Sequence, residues 1–185
     1  MAYTETDHGW PHWTTPEWYL ERVRRVGPIG LDPCSNPKAT TGAYVEFYGP
    51  GYAKDGLAES WIGYAEHGLV FVNPPYGREL PKWTAKSAAE AARGCEIVAL
   101  VPARTDTRWA HDHVFSSAAA ILFHKKRIKF GNPPPNAKGS DAPKFPSMTA
   151  YWGRRPANFA AAFEDLGLLI YPGMRLLDFS GLVTG

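Results

Sequence analysis

Asn73, Pro74, Pro75 and Tyr76 stand together in this 185-residue chain, and their types describe a receptor for a planar amine. Asn73 offers a side-chain carbonyl oxygen. Pro74 offers a backbone carbonyl with no N–H of its own to compete, on a backbone whose φ is fixed at about −65°. Tyr76 adds a flat aromatic face. Two acceptors and a stacking ring can hold a planar group that carries an exocyclic amine. The tetrapeptide directly follows Leu69-Val70-Phe71-Val72, which reads as a short buried strand, and it runs into Gly77. In open α/β sheets, ligands collect at that carboxyl end of the strands. A second proline run, Asn132-Pro133-Pro134-Pro135, lacks the aromatic residue and reads as stiffening of a long loop.

The elements that must position this turn are legible on both sides of it. Residues 1–12 read as a loose arm. Thr15 as N-cap, Pro16 at the first helical position and Glu17 in the first turn open a helix that Gly27-Pro28 ends. Its expected inner face carries Trp18, Tyr19 and Val23, with Leu20 beside them. Ile29 to Leu31 is a short strand running into Asp32, a carboxylate at a strand end. The turn Pro33-Cys34-Ser35-Asn36 follows. Ala43 to Tyr48 alternates as a second strand, and Ala58 to Glu66 as a short helical stretch with Trp61. Pro81 to Ala92 reads as a helix and Glu96 to Val101 as a continuous apolar strand of the buried parallel kind. The polar, basic segment Pro102 to Trp109 leaves that strand.

Further on, Trp109 to Ser117 reads as a short helix and Ala119 to Phe123 as a strand that Arg127 to Phe130 continues or follows. Gly131 to Phe145 is a long Pro/Gly/Asn-rich loop, expected to be mobile. Ser147 to Trp152, Ala157 to Leu166 and Leu168 to Ile170 read as strand, helix and strand. Strands alternating with helices predict an α/β fold with a largely parallel sheet, in a single domain spanning 1–185.

Composition narrows the classes without choosing one. Hydrophobic residues at 44% and charged residues at 21% are those of a soluble chain with a substantial core. No apolar run reaches the length of a membrane span and the N-terminus is no signal peptide, which predicts a cytoplasmic protein. Cys34 and Cys95 fit no metal spacing and no disulfide framework. The His111-x-His113 pair lacks a third ligand and reads as a helix surface. A net charge of +2 does not announce a nucleic-acid partner, although Lys125, Lys126, Arg127 and Lys129 form a local basic run.

Taken in order, Trp13-x-Thr15-Pro16, Leu31-Asp32-Pro33-Cys34, Asp55-Gly56-Leu57 with Trp61, Asn73-Pro74-Pro75-Tyr76-Gly77, Leu100 to Thr107 and Arg127-x-x-Phe130 carry a resemblance. The set resembles the small phage-type DNA N6-adenine methyltransferases of the Dam family, over about residues 10 to 152. The resemblance implies a reduced, Rossmann-like class I methyltransferase sheet, S-adenosylmethionine as cofactor, double-stranded DNA as partner and no metal. It places a flipped adenine on Asn73, Pro74, Pro75 and Tyr76. It puts Thr15 and Pro16 near the methionine end of the cofactor, Asp32 near its amino group with Pro33 and Cys34, Glu46 at the ribose, and Asp55 and Leu57 at the adenine. Arg104, Asp106, Thr107, Arg108 and Lys138 become candidates for DNA contact, with Lys144 on the same loop.

The chain departs from the wider methyltransferase pattern at one place. The Gly-rich turn after the first strand is replaced by Pro33-Cys34-Ser35-Asn36. Only residues 33–72 separate Asp32 from Asn73, so the first crossover helix is expected to be shortened or lost. Two rival readings follow from the same residues. One is methyl transfer to another planar amine, on an RNA base, cytosine N4 or a protein glutamine. The other is a relative that binds DNA without turnover.

Overall fold

The computed structural model describes residues 14–35, 41–47, 54–131 and 145–172. The N-terminal arm, the tip of the 131–145 loop with Lys138 and Lys144, and Asn36 lie outside these residues. Within them the chain runs α1 (Glu17–Val26), β1 (Ile29–Asp32), β2 (Val45–Glu46), a 3₁₀ segment (Ile62–His67), β3 (Leu69–Val72), α2 (Leu80–Ala92), β4 (Ile97–Pro102), a π-helical turn (Ala110–Phe115), β5 (Ala120–His124), β6 (Ser147–Trp152), α3 (Pro156–Phe163) and β7 (Gly167–Ile170).

The seven strands form one sheet in the order β2-β1-β3-β4-β6-β5-β7. β2, β1, β3 and β4 pair in parallel, whereas every pairing from β4 through β6 and β5 to β7 is antiparallel. The expectation of a largely parallel sheet is therefore corrected to a mixed one. Six consecutive buried residues in β6 look the same in sequence as six in β4, because burial on both faces erases the alternation that would betray direction. Gly68, at φ +136°, makes the turn into β3; a Cβ there would lie 2.1 Å from the Pro28 carbonyl oxygen.

Strand alternation sends side chains to two separate cores. Val70, Val72, Ile97, Ala99 and Val101 face Trp61, Trp83 and Val114, beneath α2 and the π-helical turn. Leu69, Phe71, Val98 and Leu100 face Tyr19, Leu20, Val23, Val26, Phe159 and Phe163, beneath α1 and α3. Trp18 is the exception in α1: it is 43% exposed, and Val26 takes the expected inner position. Glu96 accepts from Tyr151 and Arg155, tying the start of β4 to the end of β6 and the entry to α3.

Local expectations differ in four further places. Pro16, not Thr15, occupies the N-cap position of α1, and no side-chain cap forms there. The second strand contracts to Val45–Glu46 and leaves Tyr44 70% exposed. The 58–66 helix becomes a turn and a 3₁₀ segment. Residues 127–130 form no strand; Ile128 and Phe130 are instead buried beneath α1, and Gly131 makes an antiparallel bridge with Thr14.

A polar cluster lies within the α1 side of the core. The Thr149 hydroxyl is 2.7 Å from both the Tyr19 hydroxyl and His124 Nε2. Burial lowers the pKa of His124 to about 4, so its ring is neutral near pH 7. A folded value below the unfolded one means that His124 contributes stability that is complete above about pH 6.5 and lost as pH falls toward 4. The contribution is on the order of 3 kcal/mol. Burial raises Asp32 to about 7, and the sign there is opposite: its contribution is complete below about pH 4 and lost as pH rises through 7. The two oppose one another over one window in the wild type. Thermal melts from pH 7.5 to 4.5 should therefore show His124→Gln gaining several degrees on the wild type at the acid end. A constant difference across the range would mean that His124 is not a buried neutral ring.

Candidate active site

Because β1 and β3 are neighbours and parallel, Asp32 and Asn73 emerge at the same end of the sheet. Asn73 is half-buried, and both ends of its carboxamide are engaged. Nδ2 donates to Thr15 Oγ1 at 2.9 Å. Oδ1 accepts from the Tyr76 hydroxyl at 2.9 Å. That hydroxyl also lies 3.2 Å from the Leu100 carbonyl oxygen, so two acceptors converge on a single proton. Tyr76 meets Phe130 and Phe145 edge-on, with centroids 6.2 and 5.5 Å away. The Pro74 carbonyl takes no hydrogen bond among the described residues.

A second cluster of polar groups adjoins the first. Asp32 is 3% exposed; Oδ1 accepts from the Cys34 N–H at 3.0 Å and Oδ2 from the Thr41 hydroxyl at 3.1 Å. Thr41 also donates its backbone N–H to Glu46 Oε1 at 2.7 Å, and the β1–β2 register sets Glu46 directly opposite Asp32. No cation pairs with Asp32 among the described residues, and burial, with Glu46 adding to it, holds its pKa near 7. Such a carboxylate is suited to a cationic ligand. Cys34 lies with its sulfur at the Asn73 backbone N–H, and burial raises its thiol pKa well above the ordinary value. Cys34 is thus a packing element between the two strand ends and no nucleophile.

The 55–57 turn docks onto β1. Asp55 Oδ1 accepts from the Leu57 N–H at 2.9 Å, and Trp61 Nε1 donates to the Gly56 carbonyl at 2.8 Å. Gly56 sits so close to Pro33 that a Cβ on it would lie 1.9 Å from the Pro33 carbonyl oxygen. Asp55, Leu57 and Pro33 are therefore brought together, with Asp55 and Leu57 half-buried.

The residues expected to meet DNA are divided. The Arg104 guanidinium lies over the Phe145 ring at 5.9 Å, and Phe145 in turn touches Tyr76, so Arg104 belongs to the rim of the Asn73 turn. Asp106 is exposed. Arg108 is 95% exposed and 3.6 Å from Asp112. The Thr107 hydroxyl donates to the Arg104 carbonyl, which holds the loop rather than presenting a free group. Lys138 lies outside the described residues. His111 Nε2 sits 2.8 Å from the Thr105 carbonyl, and no cluster of three metal-ligating side chains occurs among the described residues.

Sequence reasoning missed Thr41, Phe145 and the Leu100 carbonyl, and named Gly56 and Phe130 only as parts of the resemblance, without a site role. The Asp-Gly dipeptide signalled a turn at Gly56, and two aromatics flanking a Pro-rich loop signalled rings near its base. Nothing marked Thr41 or a strand carbonyl.

An amide, a proline carbonyl and an aromatic ring stand at one strand end of a mixed α/β sheet, beside a buried carboxylate with no cation partner among the described residues. The sequence profile of the DNA N-6-adenine-methyltransferase (Dam) family matches residues 4–158, and the chain belongs to that family of DNA adenine methyltransferases. No curated protein matches the chain. No described helix is long and apolar enough to cross a membrane.

The contact of Gly56 with Pro33 makes a direct expectation. Gly56→Ala must push two loop backbones apart, costing about 1–3 kcal/mol and several degrees of melting temperature. Gly63→Ala, where nothing lies within 4 Å of the added carbon, should melt within a degree or so of the wild type. Equal midpoints for the two variants would contradict the described docking of the turn.

Proposed function

We propose that this chain transfers the methyl group of S-adenosylmethionine to N6 of an adenine in double-stranded DNA. The observation that carries the reading is the Asn73 carboxamide oxygen, held by the Tyr76 hydroxyl and next in the chain to a Pro74 carbonyl that takes no hydrogen bond among the described residues, in a chain of this family. The four parallel strands, and the return of β5 to their direction beyond β6, support a reduced Rossmann-like sheet. We take residues 1–185 as one catalytic unit working in the cytoplasm of a bacterial or phage-infected cell.

The lone pair of an exocyclic amine on adenine is delocalised into the ring. Asn73 Oδ1 and the Pro74 carbonyl would accept its two hydrogens, drawing the nitrogen toward tetrahedral geometry and stabilising the positive charge that develops as it attacks. The flipped base displaces the Tyr76 hydroxyl from Asn73 Oδ1, and the Tyr76 ring then stacks on the base. When bound, S-adenosylmethionine supplies a methyl group already activated on a sulfonium, so alignment is the main demand on the protein. Asp32 fits its ammonium group, because a buried carboxylate with no ion-pair partner among the described residues is otherwise unexplained. Glu46, opposite Asp32, would take ribose hydroxyls, and the Asp55–Leu57 turn would border the cofactor's adenine. Arg104 and Arg108 would meet phosphates.

Tritiated S-adenosylmethionine with unmethylated duplex DNA, followed by nucleoside analysis, should put label in N6-methyladenine. Label in N4-methylcytosine, or none at all, overturns the reading. Asn73→Ala should lose transfer by about 100-fold or more while still binding cofactor in calorimetry; full activity would remove Asn73 from the reaction.

The charged form of Asp32 is the one that pairs with an ammonium, so the group must first lose its proton. Cofactor affinity should therefore tighten as pH rises from 5.5 to 7, by up to about tenfold per unit. Asp32→Asn should bind weakly and without that slope. A flat wild-type profile would take Asp32 out of the pocket.

A further inference from the structure

We infer that Thr15 is a positioning residue for Asn73, fixing which end of the carboxamide faces the substrate amine; this rests on the reading of Asn73 given above. The two ends of a carboxamide have opposite hydrogen-bond sense, and the side chain turns over easily when neither end is held. An exocyclic amine offers hydrogens and, with its lone pair delocalised into the ring, accepts hydrogen bonds poorly, so the oxygen must face it. The Nδ2 end then points elsewhere in a half-buried site and needs an acceptor of its own. Thr15 Oγ1, 2.9 Å away, is that acceptor.

The mounting of Thr15 is unusually well determined. On one side, Thr14 and Gly131 exchange backbone hydrogen bonds, Thr14 N–H to Gly131 O at 2.9 Å and Gly131 N–H to Thr14 O at 3.0 Å. On the other, Pro16 at φ −66° leads directly into α1, and its carbonyl accepts from the Tyr19 N–H at 2.9 Å. Thr15 thus stands between a helix start and the Thr14–Gly131 bridge, which follows Phe130. Thr15 stands one residue before the N-cap, Pro16, so the helix does not engage its hydroxyl, which reaches residue 73 instead. The opposite face of the amide carries the Tyr76 hydroxyl, which leaves when the amine arrives. Thr15 is then the one side-chain partner, among the described contacts of Asn73, that holds the amide before and after the base enters.

The test separates the hydroxyl from the bulk of the side chain. Steady-state methylation of duplex DNA and cofactor calorimetry would be run on the wild type, Thr15→Val, Thr15→Ser and Thr15→Ala. Thr15→Val should lower kcat by about 10- to 100-fold, the order expected when a reacting group is misaligned. Cofactor affinity should stay within about twofold of the wild type. Thr15→Ser should restore kcat to within about threefold of the wild type. Should Thr15→Val melt early, Thr15→Ser and Thr15→Ala still differ only by the hydroxyl, and Ala should be the slower by the same factor. Wild-type kcat without the hydroxyl, equal losses in Ser and Ala, or weakened cofactor binding with kcat intact would each overturn the inference; the last would make Thr15 a cofactor contact. A wild type that transfers no methyl group to adenine would instead overturn the reading of the site itself.

Discussion

The Asn73 carboxamide, held at one end by Thr15 and at the other by Tyr76, is the interaction on which the site depends. It exists because a central strand, β3, stops at two prolines. Proline cannot continue the ladder, so the chain leaves the sheet just where the parallel neighbour β1 delivers Asp32. The same strand end is fixed from three directions: by the start of α1 through Thr15, by β4 through the Leu100 carbonyl, and by β1 through Cys34 at the Asn73 N–H. A flexible polar side chain becomes a directed acceptor only under that much constraint.

Two cores make the constraint possible. One face of the sheet is packed by α2 with Trp61 and Trp83, the other by α1 and α3 with Tyr19 and Phe159. Sheet and helices thereby hold β3 rigid on both sides, while the loops above its end are free to carry polar groups. The polar groups inside the α1 face, Tyr19, Thr149 and His124, satisfy one another, and the neutral ring of His124 avoids a buried charge. Asp32 contrasts with them. It is buried too, but has no cation among the described residues, and burial is the main cause of its raised pKa.

Much of this was visible in the chain. The apolar run Leu69–Val72, the rigid turn after it and the placement of Asp32 after Ile29–Leu31 all follow from local chemistry: β-branched residues, prolines with fixed φ, a carboxylate at a strand end. The helices α1, α2 and α3 were legible for the same reason, since apolar spacing and Pro/Gly punctuation act over a few residues. Direction in the sheet was not legible. Ser147–Trp152 is buried on both faces, and a buried run carries no mark of the neighbour it pairs with. Trp18 was misplaced because an aromatic at a helix start has the same type whether it faces core or solvent.

The sequence by itself determined the chemical inventory: an acceptor pair and a ring at one turn, a carboxylate at another, and no metal-ligand spacing. These depend on residue type and on neighbours one to four positions away. Only the tertiary structure decided how the inventory is used. It turned Thr15 from a helix cap into the partner of Asn73, 58 positions along the chain, and set Tyr76 across the acceptor that the substrate would need. Hydrogen-bond sense and orientation are properties of atoms brought together by folding, and no local pattern encodes which of two ends of an amide will face outward.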